Sequence, residues 1–423
     1  MPIIPIAFVV GYFIIALERR LRVEKAATAL LLGCTLWVLL ALTGAGGHEL
    51  LPALETHLAE IAAIVFFLLG AMTIVEVIAE HDGFAILTSR VHTKNLRALL
   101  WIVSFLTFFL SPFLDNLTTT IVMVAITQKL VTRNQNRLFF AGMIVVAANA
   151  GGAFSPIGDV TTTMLWMGGQ ISAQQIIVRL FLPSLVNVLV PLSVATFFVK
   201  GEAISETRSE ARENPASPTE RAAVLVIGVI LLVGVPFFKV VTGLPPYLGI
   251  LFALGILWLV TELLHRNKPE QLRSGLTPAS AVSEIDVPSL LFFIGILLAV
   301  AALQTAGTLA SVSSWLSRRV ANQDVMVMIL GFLSSIIDNV PLVSAAMGMF
   351  SLNSFPMDHR LWELLAYCAG TGGSMLVIGS AAGVAAMGIE RISFGWYLKR
   401  ITPIALLGYL AGAAVYLGFA NAF

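Results

Sequence analysis

Ten stretches of apolar residues recur along this chain of 423 residues, at 3–17, 26–42, 61–78, 139–167, 176–199, 222–241, 248–264, 289–309, 362–388 and 397–419. A hydrocarbon core about 30 Å thick is crossed by about twenty apolar residues in a helix. Within it every backbone amide must be paired inside the segment, so the sequence specifies an all-α polytopic membrane protein. Composition agrees: 58% of residues are apolar, 12% are charged and the mean hydropathy is +0.91, whereas soluble domains carry about a quarter charged residues. With 25 Lys and Arg against 24 Asp and Glu, the net charge of +1 removes any case for nucleic-acid binding. The partners to expect are the lipid bilayer and small solutes. Cys34 and Cys368 sit inside apolar runs as small fillers, and the six histidines lack metal-ligand spacing. The first run has no basic residue ahead of it and no small-residue cleavage motif behind it, so a first span is expected there and not a signal peptide.

Two further hydrophobic stretches, 99–130 and 325–352, are too long for one crossing and are broken at their centres by polar and helix-breaking residues. Arms of about twelve residues reach only about 18 Å, so each stretch reads as a re-entrant hairpin that enters and leaves on one side. Counting Lys and Arg on the resulting loops, with the amino terminus outside, leaves only Arg179, Lys239, Arg318, Arg319 and Arg360 outside, out of 25. Such a bias is what the positive-inside rule demands. It arises only if both interrupted stretches are hairpins.

The chain also repeats itself. An offset of 221 to 225 residues places Gly70 on Gly295, Asp115-Asn116 on Asp338-Asn339 and Gly151-Gly152 on Gly372-Gly373. The charged stretch 200–221 then reads as a cytoplasmic linker between a first half, 1–199, and a second, 222–423. Each half holds five crossings and one hairpin. Five is odd, so the second half must enter from the opposite face, which makes the repeat inverted, the build of secondary transporters.

Both hairpin tips carry Asp-Asn beside a proline, at Asp115-Asn116 and Asp338-Asn339. The helix after each hairpin is interrupted as well. Residues 149–163 (NAGGAFSPIGDVTTT) break the run 139–167, and 370–380 (GTGGSMLVIGS) break 362–388. A carboxylate in the hydrocarbon costs at least a few kcal/mol, so a tip ending mid-membrane needs a cation, a proton or a set of donors to compensate it. The alternative for each Asp is a helix N-cap, yet an Asn or Ser would cap without the charge. Paired glycines expose carbonyl oxygens beside Asn149, Asp159, Thr161, Thr162, Thr371 and Ser374. Oxygen donors of these kinds are what hard cations take. No Lys, Arg or His is expected near the four interruptions, which favours a cation over an organic anion. Glu76 is a peripheral acid near the end of its span.

At these interruptions the sequence resembles NhaD-type sodium/proton antiporters of the ion transporter superfamily, which also contains arsenite and dicarboxylate carriers. SPFLDNLTTT at 111–120 and NAGGAFSPIGDVTTT at 149–163 carry the resemblance, which covers essentially the whole chain. It implies scaffold regions that form a homodimer and transport regions built from the hairpins and broken helices. It further implies exchange of external protons for internal Na⁺ or Li⁺ across a bacterial inner membrane, with no cofactor; the basic-residue count puts both termini on the periplasmic side. Site roles carry over to Asp115, Asn116, Asn149, Asp159, Thr161, Thr162, Asp338, Asn339 and Ser374, with Na⁺ expected at Asp115, Asn116, Asp159, Asp338 and Asn339. Two other readings stay open: an oxyanion or dicarboxylate carrier of the same superfamily, and an intramembrane aspartyl protease using Asp115 and Asp338 as a dyad.

Overall fold

The computed structural model describes residues 3–17, 21–44, 50–84, 93, 95–131, 133–199, 201, 216–320 and 322–420, and all its elements among them are helical. In chain order the first half runs α1 (Ile3–Ala16), α2 (Lys25–Thr43), α3 (Leu50–Glu80), α4 (Leu96–Leu114), α5 (Asn116–Leu130), α6 (Asn134–Ala153), α7 (Val160–Met167) and α8 (Ala173–Ala195). The second runs α9 (Pro218–Thr242), α10 (Pro246–His265), the short α11 (Glu270–Arg273) and α12 (Pro278–Glu284), then α13 (Val287–Thr305), α14 (Thr308–Arg319), α15 (Gln323–Leu333) and α16 (Asn339–Met349). It ends with α17 (Arg360–Gly372), α18 (Ala381–Glu390), α19 (Phe394–Arg400) and α20 (Thr402–Ala420).

All four expected breaks are present. In the stretches expected as hairpins, α4 gives way to α5 at Asp115 and α15 to α16 across residues 334–338; α6/α7 and α17/α18 are the two interrupted helices. Among the described residues seven helices are individually long and apolar enough to cross a membrane, or eight if the bent pair α19 and α20 counts as one. The chain is a multi-pass membrane protein. Two expectations need correction. The first arm of the first hairpin has 19 residues, not about twelve. Asn95 accepts hydrogen bonds from the backbone of Arg97 and Ala98, so the helix starts ahead of the apolar run. The stretch 218–221, assigned to the linker, begins α9, because Ser217 and Glu220 form a reciprocal capping box. Most of the linker lies outside the described residues, as do Arg19, Arg20, His48, Arg90, His92, Lys94, Arg208 and Arg212.

The same contacts occur twice. Ser111 Oγ donates to Ala148 O at 2.6 Å, and Ser334 Oγ donates to Ala369 O at 2.8 Å. Gly151 lies so close to the carbonyl of Phe108 that no Cβ fits, and Gly372 is pressed in the same way against Gly331. These glycines let each hairpin arm dock onto the broken helix beside it. Contacts between halves are reciprocal. Gly70 on α3 packs on Ile250 of α10, while its matched residue Gly295 on α13 packs on Ala29 of α2. Beside α17, Asn149 of α6 reaches Ser374, just past that helix's end, and Ala153 faces Gly370. Helices α8 and α20 run antiparallel, Pro183 against Gly412 and Pro191 against Gly408.

Candidate cation site

Four helices begin at one place in the middle of the protein, and each has a side-chain oxygen at its N-terminus. Asp115 caps α5, accepting from Thr118 N at 2.8 Å and Thr118 Oγ1 at 2.9 Å. Asp159 caps α7, accepting from Thr161 N and Thr161 Oγ1, both at 2.8 Å. Asp338 caps α16 through Val340 N at 3.4 Å, and Ser380 caps α18 through Gly383 N at 3.2 Å. Orphan N–H groups and the helix dipole make these ends the cheapest buried places for negative charge. Asp115 pays in backbone strain, with φ +61° at the hairpin tip.

Asp159 is the centre of the set, 2% exposed, whereas Asp115 and Asp338 are half-buried. Asn116 Nδ2 donates to Asp159 Oδ2 at 2.6 Å, and Asn339 Nδ2 approaches both carboxylate oxygens at 3.4 Å. Each hairpin thus delivers its Asn to the one carboxylate of the first broken helix. Asn116 also donates to Asn149 Oδ1 at 3.1 Å, and Asn149 Nδ2 donates to Ser374 Oγ and Ser380 Oγ at 2.9 Å each. Among the expected ligands, Thr162 and Thr371 do not join this network. Thr162 Oγ1 bonds Asp159 O at 2.9 Å, and Thr371 Oγ1 bonds Tyr367 O at 2.6 Å, so both hydroxyls satisfy their own chain. Glu76 lies apart and does not line the site cavity. Sequence reasoning did not place Ser380 in the site, although the repeat sets it opposite Asp159. It also missed Tyr12, whose hydroxyl accepts from Asp338 N at 3.1 Å.

A cavity of about 70 Å³ is lined by Asp115, Asn116, Asp159, Asp338 and Asn339 together with Lys25. A cation side chain near the interruptions was not expected: Lys25 starts α2, far from them in sequence, and folding brings it in. A vestibule of about 220 Å³ adjoins this cavity, and the two share Lys25, Leu117, Ser289 and Ala381. A third cavity, of about 650 Å³, shares no lining residue with the site. It lies at the far ends of α7 and α16, lined by Met164, Met167, Ser344 and Met347. The vestibule and this cavity occupy matched places. An offset of 221 carries Glu24, Lys25 and Ala26 of the vestibule onto Pro245, Pro246 and Tyr247 of the large cavity, and an offset of 225 carries Ile61 and Ile64 onto Asp286 and Ser289. The site cavity thus adjoins the vestibule and not the large cavity.

The arrangement suits a cation. Backbone donors at three of the helix starts are already taken by the chain's own carboxylates, which leaves little for an incoming anion. Asp115 and Asp338 are no hydrogen-bonded dyad. Asp159 stands between them, with charge coupling to each.

Interrupted helices, paired half-helices and buried acids open to one side define a secondary ion transporter. The family described as "Citrate transporter" matches residues 12–362 and 251–421. Sodium/proton antiporter 1 of Arabidopsis thaliana is 46% identical over 98% of this chain and 72% of its own length, and sodium/proton antiporter 2 of the same plant is 43% identical over 98% of each. The Na⁺/H⁺ antiporter NhaD of Alkalimonas amylolytica is 34% identical over 97% of this chain and 89% of its own. In fold the chain resembles the YdaH transporter of Alcanivorax borkumensis, with a TM-score of 0.57, 14% identity and 94% and 99% of the two chains covered. The chain belongs to the citrate-transporter family and, within it, to the NhaD-type ion transporters.

Proposed function

We propose that this protein exchanges Na⁺ or Li⁺ for H⁺ across the membrane by alternating access. The observation that carries the reading is the Asp159 carboxylate, buried in a cavity with two further acids that adjoins one vestibule and shares no lining residue with the large cavity. Cation and proton compete for the same oxygens, so the site crosses loaded with metal and returns loaded with protons. In this structure the Asn116 amide turns its N–H to Asp159. Turning that amide over would present Oδ1 either to a bound Na⁺ or to a protonated carboxyl, so one rotation serves both loaded forms. Asn339 has the same chemistry at longer range. No cofactor is needed.

The two halves, 1–199 and 222–423, act in this reading as an inverted repeat, supported by the antiparallel run of α8 against α20. Opposed orientations make the two openings face opposite sides. In this reading the Lys25 vestibule faces the cytoplasm and both termini the periplasm, which the distribution of basic residues supports, and the membrane is a bacterial inner membrane, in keeping with the bacterial NhaD relatives. The homodimer implied by the family resemblance is tested by cross-linking in native membranes. For the function, purified protein in vesicles with an internal pH dye should respond to NaCl, and Asp159→Asn should not. Uptake of labelled citrate without any response to NaCl would instead establish an anion carrier.

A further inference from the structure

Where vestibule and site cavity join, the shared lining holds a single charged side chain, Lys25. Its Nζ rests over the Phe292 ring, 4.5 Å from the centroid, and it makes no ion pair among the described residues. Asp115, Asp159 and Asp338 face it from the cavity, Glu24 and Asp286 from the vestibule. An ammonium held by a ring face is held loosely, and its four-carbon stem is flexible. Anything entering from this side passes it. The matched position on the other opening is Pro246, which carries no charge. The two mouths thus differ in charge: Glu24, Lys25 and Asp286 of the vestibule match Pro245, Pro246 and Ile61, the large cavity carries Glu60 and His57, and a lysine lines the vestibule alone.

We propose that Lys25 is a specificity-determining residue that acts as a tethered competitor. Its ammonium moves between the Phe292 ring and the Asp115 and Asp338 carboxylates, standing in for the transported cation when the site is empty and opposing entry of a cation from the vestibule side. This rests on the Na⁺/H⁺ reading. The consequence is asymmetric: the apparent affinity for Na⁺ is lowered on one face only. A positive charge beside carboxylates also favours their ionised form, so Lys25 lets the site shed protons at lower pH than it otherwise would.

Na⁺-driven proton movement should be followed in vesicles of both orientations, for the wild type, Lys25→Met, Lys25→Arg and Phe292→Leu. Lys25→Met should lower the apparent KM for Na⁺ on the vestibule face about fivefold, equivalent to about 1 kcal/mol, leave the opposite face unchanged and move the pH profile to the alkaline side. Lys25→Arg should restore both. Phe292→Leu frees the ammonium and should raise KM on the vestibule face, the opposite direction, whereas a merely structural defect would move both variants alike. Equal KM values for the wild type and Lys25→Met on both faces, in a protein that responds to NaCl, would overturn the role of Lys25 alone. A wild type without any NaCl response would remove the antiport reading and this one with it.

Discussion

Asn149 donates its side-chain amide to Ser374 Oγ at 2.9 Å, across 225 residues of sequence and from one half of the protein to the other. The same residue accepts from Asn116, which in turn holds Asp159. One neutral side chain therefore couples the second broken helix to the central carboxylate.

Asn149→Ala should remove that coupling. It strips partners from Asn116, Ser374 and Ser380, all buried, and a buried polar group left unpaired costs about 1–3 kcal/mol. Thermal unfolding in detergent should show a lower midpoint, and transport should fall more than stability does. Wild-type turnover in Asn149→Ala would mean that the halves are coupled elsewhere.

The two hairpin asparagines should not be equal. Asn116 lies at 2.6 Å from Asp159 and Asn339 at 3.4 Å, so Asn116→Ala should raise the apparent KM for Na⁺ about tenfold and Asn339→Ala about threefold, worth about 1.4 and 0.7 kcal/mol. Initial rates against Na⁺ concentration in vesicles decide it.

Asp159 matches Ser380 in the repeat, and a hydroxyl does not titrate in the physiological range. With three acids around one monovalent cation, exchange should move more protons than Na⁺ and respond to an imposed inside-negative potential. Asp159→Ser, which makes the halves alike, should abolish the charge moved. Wild-type rates indifferent to potential would point to one proton per cation.

Glycines at the hairpin contacts should tolerate no methyl group. Gly151→Ala and Gly372→Ala drive a Cβ into the carbonyls of Phe108 and Gly331, an overpacking worth about 1–3 kcal/mol. Gly234→Ala and Gly255→Ala, in helices with open space around the glycine, should gain up to about 1 kcal/mol. Paired melting curves test both signs at once.

Cysteine labelling should place the openings on opposite faces. In a background with Cys34 and Cys368 replaced by Ala, a cysteine at Ala385 in the vestibule should react with an impermeant reagent from the cytoplasmic side. One at Asn353, beside the large cavity, should react from outside. Labelling of both from one side would reverse the inverted arrangement.

Much of this was legible in the sequence because it is written in local chemistry. Apolar length sets the spans, and Asp-Asn beside proline or paired glycines marks breaks that a bilayer tolerates only around a site. The offset between Asp115 and Asp338 exposes the repeat. Proximity across the chain is another matter. Lys25 reads as a cap-region lysine ending a cytoplasmic loop, and only the packing of α2 against α13 brings it beside Phe292 and the acids. Rotamers are equally hidden. Thr161 and Thr162 are indistinguishable by type, yet one hydroxyl serves the Asp159 carboxylate and the other its backbone carbonyl. The length of α4 turned on Asn95, a cap four residues ahead of the apolar signal.

Because the vestibule at Glu24–Ala26 and the cavity at Pro245–Tyr247 occupy matched positions, this one structure is also a template for a second. If the proposed inverted repeat holds, imposing the conformation of each half on the other would open the Pro246 side to Asp159 and seal the Lys25 side, without inventing a backbone geometry the chain does not already adopt. The resting shape of either half is thus a draft of its partner's working shape. Distances measured by paired spin labels across both openings can be compared with that draft, residue by residue, before any second structure is solved.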